Sequence, residues 1–385
     1  MRIPDTTLIQ VSILIPLQMK KNILLFAFSI LLSLTFAQNK KYNLLIGTYT
    51  NSGKSQGIYA YNLNMQSGRF SQKSITTGIT NPSYLTISSD KKFVYSVSES
   101  TDGSSATAFS FDKKTAKLRK LNAALTKSDG PCYISSTGNH VFTANYGGGS
   151  VSVFGRKKNG SLTDLLQLIQ HTGNSIDTDR QKEPHVHQAI MSPDQKYLLV
   201  NDLGTDKVTV YQYNKLATTD ILTPTDTLTV KLGSGPRHAT FSKDGSKLYL
   251  VQEINGTISA LGFEHGKLHL LQETSLVKKQ GIVNRAADIH LSPDQRFLYA
   301  TNRGTANDIS CFSVEKNGQL SFVQQVSTGG DGPRNFAITP DGEYLFVAHQ
   351  FSNNIVIFKR NIQTGLLTDT GKRIDVGEPV CLVFY

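Results

Sequence analysis

Four residues in this sequence carry groups that would do acid–base and anion chemistry if a fold brought them together: His187, Arg237, Glu253 and Arg303. Two guanidiniums would grip a carboxylate or phosphate through paired N–H donors and stabilise an oxyanion as it forms. Glu253 or His187 would serve as base on a water molecule, or as the acid that protonates a departing alkoxide. The arginines would keep Glu253 ionised, and His187 is expected to titrate near neutrality. The residue types alone leave open which of the two is acid and which is base. Such a set suits an anionic substrate with an ester or similar carbonyl.

A repeat is what would align residues so far apart. His238 to Ser242 reads as a strand, Lys243-Asp244-Gly245 as a tight turn, and Leu248 to Gln252 as a second strand. The layout returns from Pro82 through Asp90, Pro131 through Asn139, Pro184 through Asp194 and Pro333 through Asp341, with Ser292-Pro293-Asp294 marking one more copy. The prolines are spaced 46 to 53 residues apart, with one double interval of 97. Each interval holds four short strands, the last after an Asn-Gly turn such as Asn159-Gly160 or Asn317-Gly318, and no helical period persists beyond two turns. Four-stranded units of this length are propeller blades.

Six intervals lie between Pro82 and Pro379. What remains is a strand at Val380 to Tyr385 and three strands within residues 42–81. Either fragment alone would leave a sheet edge unpaired, so together they make one more blade. The expected fold is all-β: a seven-bladed β-propeller with four antiparallel strands per blade, one blade closed jointly by the N- and C-terminal strands.

Blade geometry then selects residues. The start of the first strand and the end of the second meet on one rim, forming two rings around the mouth of the axial channel. Counting seven residues back from each turn gives Ser83, Cys132, His187, Arg237, Ala287 and Arg334, with Val380 from the closing strand. The ends of the second strands give Glu99, Tyr146, Asp202, Glu253, Arg303 and Gln350, with Thr48 or Tyr49 from the N-terminal blade. His187, Glu253, Arg237 and Arg303 are the candidate catalytic residues. His185, Arg334, Asp202, His238 and Asn302, in or beside these rings, are the candidate substrate-binding residues.

Other signals are weaker. His185 and His187 alternate along one strand but lack a clustered third ligand, so no metal site is expected. Gly147-Gly148-Gly149 is a hairpin loop with no helix after it to receive a phosphate, and no Gly-x-Ser-x-Gly elbow is present. Cys132, Cys311 and Cys381 are odd in number, lack CxxC spacing, and read as small buried hydrophobes.

Residues 1–37 read as a secretory leader. Met19-Lys20-Lys21 opens it, Ile23 to Phe36 is an apolar run, and Thr35-Phe36-Ala37 offers small residues for cleavage. Met19 is the natural start on this reading, with the preceding residues a start-site artefact. Residues 38–385 are then one propeller domain, exported to the periplasm or beyond with no lasting membrane anchor. The formal charge of +11 favours acidic partners, but no basic run with interleaved aromatics marks a nucleic-acid groove.

The motifs together are specific. "LLIGTYT" (Leu44–Thr50), "EPHVHQ" (Glu183–Gln188), "GPRHATFS" (Gly235–Ser242), "YLVQEINGTI" (Tyr249–Ile258), "YATNRG" (Tyr299–Gly304) and "GPRNFAITPDGEYLFVAHQ" (Gly332–Gln350) resemble the seven-bladed propeller lactonases. That group includes bacterial 6-phosphogluconolactonase and fungal carboxy-muconate lactonising enzyme, and the resemblance spans residues 42–385. It implies a lactonase whose site is a His, two Arg and a Glu at the channel mouth, matching His187, Arg237, Arg303 and Glu253, with no cofactor and no obligatory metal. The expected partner is a small anionic lactone met by a monomer, and an exported protein would meet a plain sugar or carboxylated lactone as readily as a phosphorylated one. A muconate-type cycloisomerase and a non-catalytic exported binding module remain as alternative readings of the same mouth.

Overall fold

The computed structural model describes residues 40–100, 103–276 and 281–385, so the leader assigned to residues 1–37 lies outside the described residues. These residues form 28 strands in seven antiparallel sheets of four. The first blade is composite: Pro379–Phe384 lies innermost, followed outward by Lys41–Thr48, Ile58–Asn64 and Arg69–Thr76. Its closing pair runs from Leu44 opposite Phe384 to Thr48 opposite Pro379.

Burial follows position within each blade. Inner strands are covered on both faces by neighbouring blades, so Tyr344–His349 and Lys247–Gln252 are buried almost throughout rather than on alternate residues. Outermost strands such as Leu222–Thr229 keep a polar, largely solvated pattern. The cores lie between blades: Phe142, Val151, Leu198, Val200 and Tyr211 form one between the third and fourth. Leu44, Ile46, Phe346, Ala348 and Leu382 form another across the closure.

On the rim opposite the mouth, one turn module recurs. Ser192 Oγ donates to Asp194 and accepts the amide of Tyr197 at 3.0 Å, while Asp194 accepts the amide of Lys196 at 3.1 Å. Ser88 with Asp90, Ser242 with Asp244, Ser292 with Asp294, and Thr339 with Asp341 repeat it. The residue after each Asp takes a positive φ, which Gly245 and Gly342 meet without a Cβ in the way.

At the mouth the first strands share a second irregularity. In the third blade Pro131 faces Asn145 and Tyr133 faces Ala144, so Cys132 is an extra, unopposed residue. His187, Arg237 and Arg334 are extra in the same way in theirs, as is Val380 in the closing strand, and the sixth blade carries its bulge within Ala286–Ile289. A bulge breaks the two-residue alternation and re-aims one side chain. Here it re-aims a side chain at the same end of six of the seven blades, and those points belong to the inner ring.

Candidate functional site

Glu253 is the hub of the mouth. It follows Lys247–Gln252 and is almost fully buried, 4% exposed. Its Oε2 accepts from Arg237 Nε at 2.9 Å and from Arg303 Nη2 at 3.0 Å, and its Oε1 accepts from Arg180 Nη2 at 2.8 Å. Two of the arginines are tied down further: Arg237 donates to the Ala287 carbonyl and Arg303 Nε to the Arg285 carbonyl at 3.0 Å. Burial alone would raise the Glu253 carboxyl, but Arg303, Arg237 and Arg180 overcome it and hold the group well below the usual carboxylate range.

His187 stands beside this cluster. Its Nδ1 lies 3.7 Å from Cys132 Sγ, its ring meets Tyr146 edge-on at 5.4 Å and His238 at 5.1 Å, and Nε2 has no partner among the described residues. The expectation that it titrates near neutrality is corrected. Burial strips the imidazolium of hydration, and the positive charges of Arg237, His238 and Arg334 add to the penalty, so its pKa falls well below the usual value. At neutral pH His187 is an unprotonated imidazole. Cys132 itself is held as a thiol, raised to about 12 by burial.

Arg334 lies over the Tyr49 ring, 5.5 Å from its centroid, and makes no hydrogen bond or ion pair with described residues. Below the ring, His238 Nδ1 donates to Asp288 Oδ1 at 2.9 Å, and Asp288 Oδ2 takes His290 Nε2 at 2.9 Å and the Asn335 amide. Burial and Arg237 lower His238 to about 4 against the pull of Asp288, leaving a neutral ring whose Nε2 is buried without a partner.

Three of the nine candidates do other work. His185 stacks on Tyr146 at 4.4 Å and donates to the Tyr146 carbonyl at 3.0 Å. Asp202 does not belong to the outer ring: it pairs with Val186 as Gln252 pairs with Pro236, so the counterpart of Glu253 is Leu203. The strand end was placed one residue too early for the ring, and the Asp202 carboxylate instead caps the amides of His185 and Gly204 and bonds His171. Asn302 occupies the same strand position, where it accepts the Arg285 amide at 3.1 Å and bonds Asn284.

Arg180 is the functional candidate that repeat counting misses. It sits in the connection that leads into Val186–Met191, outside any strand, within the 53-residue interval that is the longest in the chain. That extra length was its only sequence signal.

The comparisons with known proteins bear on the whole chain. The family profile described as "Lactonase, 7-bladed beta-propeller" matches residues 43–384. A 6-phosphogluconolactonase of Formosa agariphila is 36% identical over 332 residues, covering 84% of this chain and 94% of that protein. A solved structure from Bacteroides fragilis is 42% identical with a TM-score of 0.87, covering 91% of this chain and 99% of that one. The periplasmic gluconolactonase of Pseudomonas aeruginosa is 35% identical with a TM-score of 0.84, covering 90% and 99%. A bulged inner ring built on seven blades, matched end to end by that profile, places the chain in the seven-bladed β-propeller lactonase family.

Proposed function

We propose that this lactonase hydrolyses the ring ester of a sugar-derived lactone that carries a negative charge, the 6-phosphogluconolactonase type of substrate. The observation that carries the reading is a buried, unprotonated His187 with a free ring nitrogen beside guanidiniums clustered on one carboxylate. The sequence left acid and base undivided between His187 and Glu253, and the electrostatics favour a division. Glu253 is too acidic to donate a proton at neutral pH and too strongly held to accept one readily. Its part is to fix Arg237 and Arg303 as preorganised cations.

In this mechanism His187 Nε2 takes a proton from water as the water oxygen bonds to the lactone carbonyl carbon. Arg303 and the unpaired Arg334 stabilise the oxyanion, and Arg237 holds its field from beneath. The carbon–ring-oxygen bond then breaks, and His187 returns the proton to the departing alkoxide, leaving an open-chain hydroxy acid. Export is supported by the leader-like residues 1–37 and by the periplasmic gluconolactonase relative. Acid release from gluconolactone and 6-phosphogluconolactone, followed at constant pH and corrected for spontaneous hydrolysis, tests the reading. Release well above background and lost in His187→Gln supports it, and a folded protein inactive on both lactones overturns it.

A further inference from the structure

Three guanidiniums on one carboxylate is an imbalance, and they are not equivalent. Arg237 and Arg303 are nearly buried, at 1% and 10% side-chain exposure, and each is anchored to a backbone carbonyl. Arg180 is 31% exposed and uses only Nη2, shared between Glu253 Oε1 and the Tyr146 hydroxyl at 3.2 Å. Its Nε and Nη1 have no hydrogen-bond partner among the described residues.

The loop beneath Arg180 is fixed. Asp177 Oδ1 accepts the Arg180 amide at 3.0 Å, the Gln181 amide closes onto the Asp177 carbonyl at 2.8 Å, Gln181 Nε2 donates to the Leu203 carbonyl at 2.8 Å, and Ser175 bonds Asp206. The backbone is therefore held by four bonds of its own, whereas the side chain, 31% exposed, is held through Nη2 alone.

Resting on the lactonase reading, we infer that Arg180 is the specificity residue for an anionic group at the end of the substrate remote from the scissile ester, a phosphate or a carboxylate. Glu253 Oε1, 2.8 Å from Arg180 Nη2, marks the place of that group. When the substrate enters, its distal anion takes the guanidinium fork, and the planar, fixed geometry of arginine suits either oxyanion. The two anchored arginines keep Glu253 in position, and Oε1 becomes an acceptor for a substrate hydroxyl. An uncharged tail offers Arg180 nothing better than Glu253, so it gains no affinity there.

The test uses the stable open-chain acids as ligands in titration calorimetry: gluconate without a distal anion, 6-phosphogluconate with a distal phosphate, glucarate with a distal carboxylate. The wild type should bind one or both distal anions at least tenfold more tightly than gluconate, and which one identifies the group. Arg180→Met should bring that ratio to about one, and Arg180→Lys should restore part of it. A variant that weakens all three ligands by the same factor would make Arg180 merely structural and overturn the inference, as would an unchanged ratio. Wild type that shows no preference for a distal anion overturns it as well. Binding with the expected ratios but no lactone turnover would leave the inference standing and remove the lactonase reading.

Discussion

Replacing Glu253 by glutamine removes the negative charge from the centre of the mouth while keeping the side chain's shape. Two of its three cations are buried, and at contacts of 2.9 and 3.0 Å their charge centres lie close to the carboxylate. Each such pair attracts by about 4 kcal/mol at an effective dielectric near 20. The carboxylate's own dehydration cancels much of that sum, whereas the variant leaves Arg237, Arg303 and Arg334 facing one another uncompensated. Breaking a buried pair from one side costs about 3–5 kcal/mol. Over roughly 345 residues at about 2.1 cal/mol/K each, that lowers Tm by about 4–7 °C. Because the folded-state pKa of Glu253 is depressed, its contribution is present above about pH 4.3 and is lost as the pH falls through the folded value. Scanning calorimetry of both proteins should show a steady Tm gap from pH 5 to 8 that narrows below pH 4. A variant as stable as wild type at pH 7, or a gap that widens in acid, refutes the reasoning.

Other outcomes follow from the same geometry. Since the His187 pKa is lowered, kcat/KM should stay flat from pH 8 to below about 6.5, and an acid limb centred at or above 6.5 would exclude it as the base. Deleting Pro379–Phe384 exposes the inner edge of Lys41–Thr48 and strips Cys381 and Leu382 from two cores, so circular dichroism should find no cooperative unfolding at 25 °C. Arg360 is fully buried between blades, donating to both oxygens of Asp294, to the Gly342 carbonyl and to the Tyr299 hydroxyl. Arg360→Met should cost about 2–4 kcal/mol by urea denaturation. Arg156→Met, whose partner Asp90 is 40% exposed, should cost about 1 kcal/mol or less.

The repeat was legible because each blade marks its own register. A Ser or Thr two residues before an Asp fixes a turn, and counting from that Asp reaches the same height in every blade. That is why His187, Arg237 and Arg334 were found without seeing any of them. The outer ring was read from strand ends and not by that count, and Asp202 closes its strand one residue short of the ring, where its neighbours are the His185 and Gly204 amides and the His171 ring. The bulged residues Cys132, His187, Arg237, Arg334 and Val380 share a position but not a side-chain type, and the proline before four of them marks the place without naming the bulge. What they share is the absence of an opposing residue, which is a property of two strands and not of one.

Arg180 and the protonation of His187 lie further out of reach for a related reason. Arg180 meets Glu253 across 73 positions of chain from the connection between Gln170 and Val186, outside any strand, so neither periodicity nor spacing points to it. The pKa of His187 depends on how completely Arg237, His238, Arg334 and the surrounding strands exclude water, and desolvation is a sum over neighbours brought together only by the closed ring. Four residue types suited to acid–base work could be read from the chain. Which of them holds a proton follows only from the field they create for one another, and that field is what supports the proposed division into a carboxylate anchor and an imidazole base.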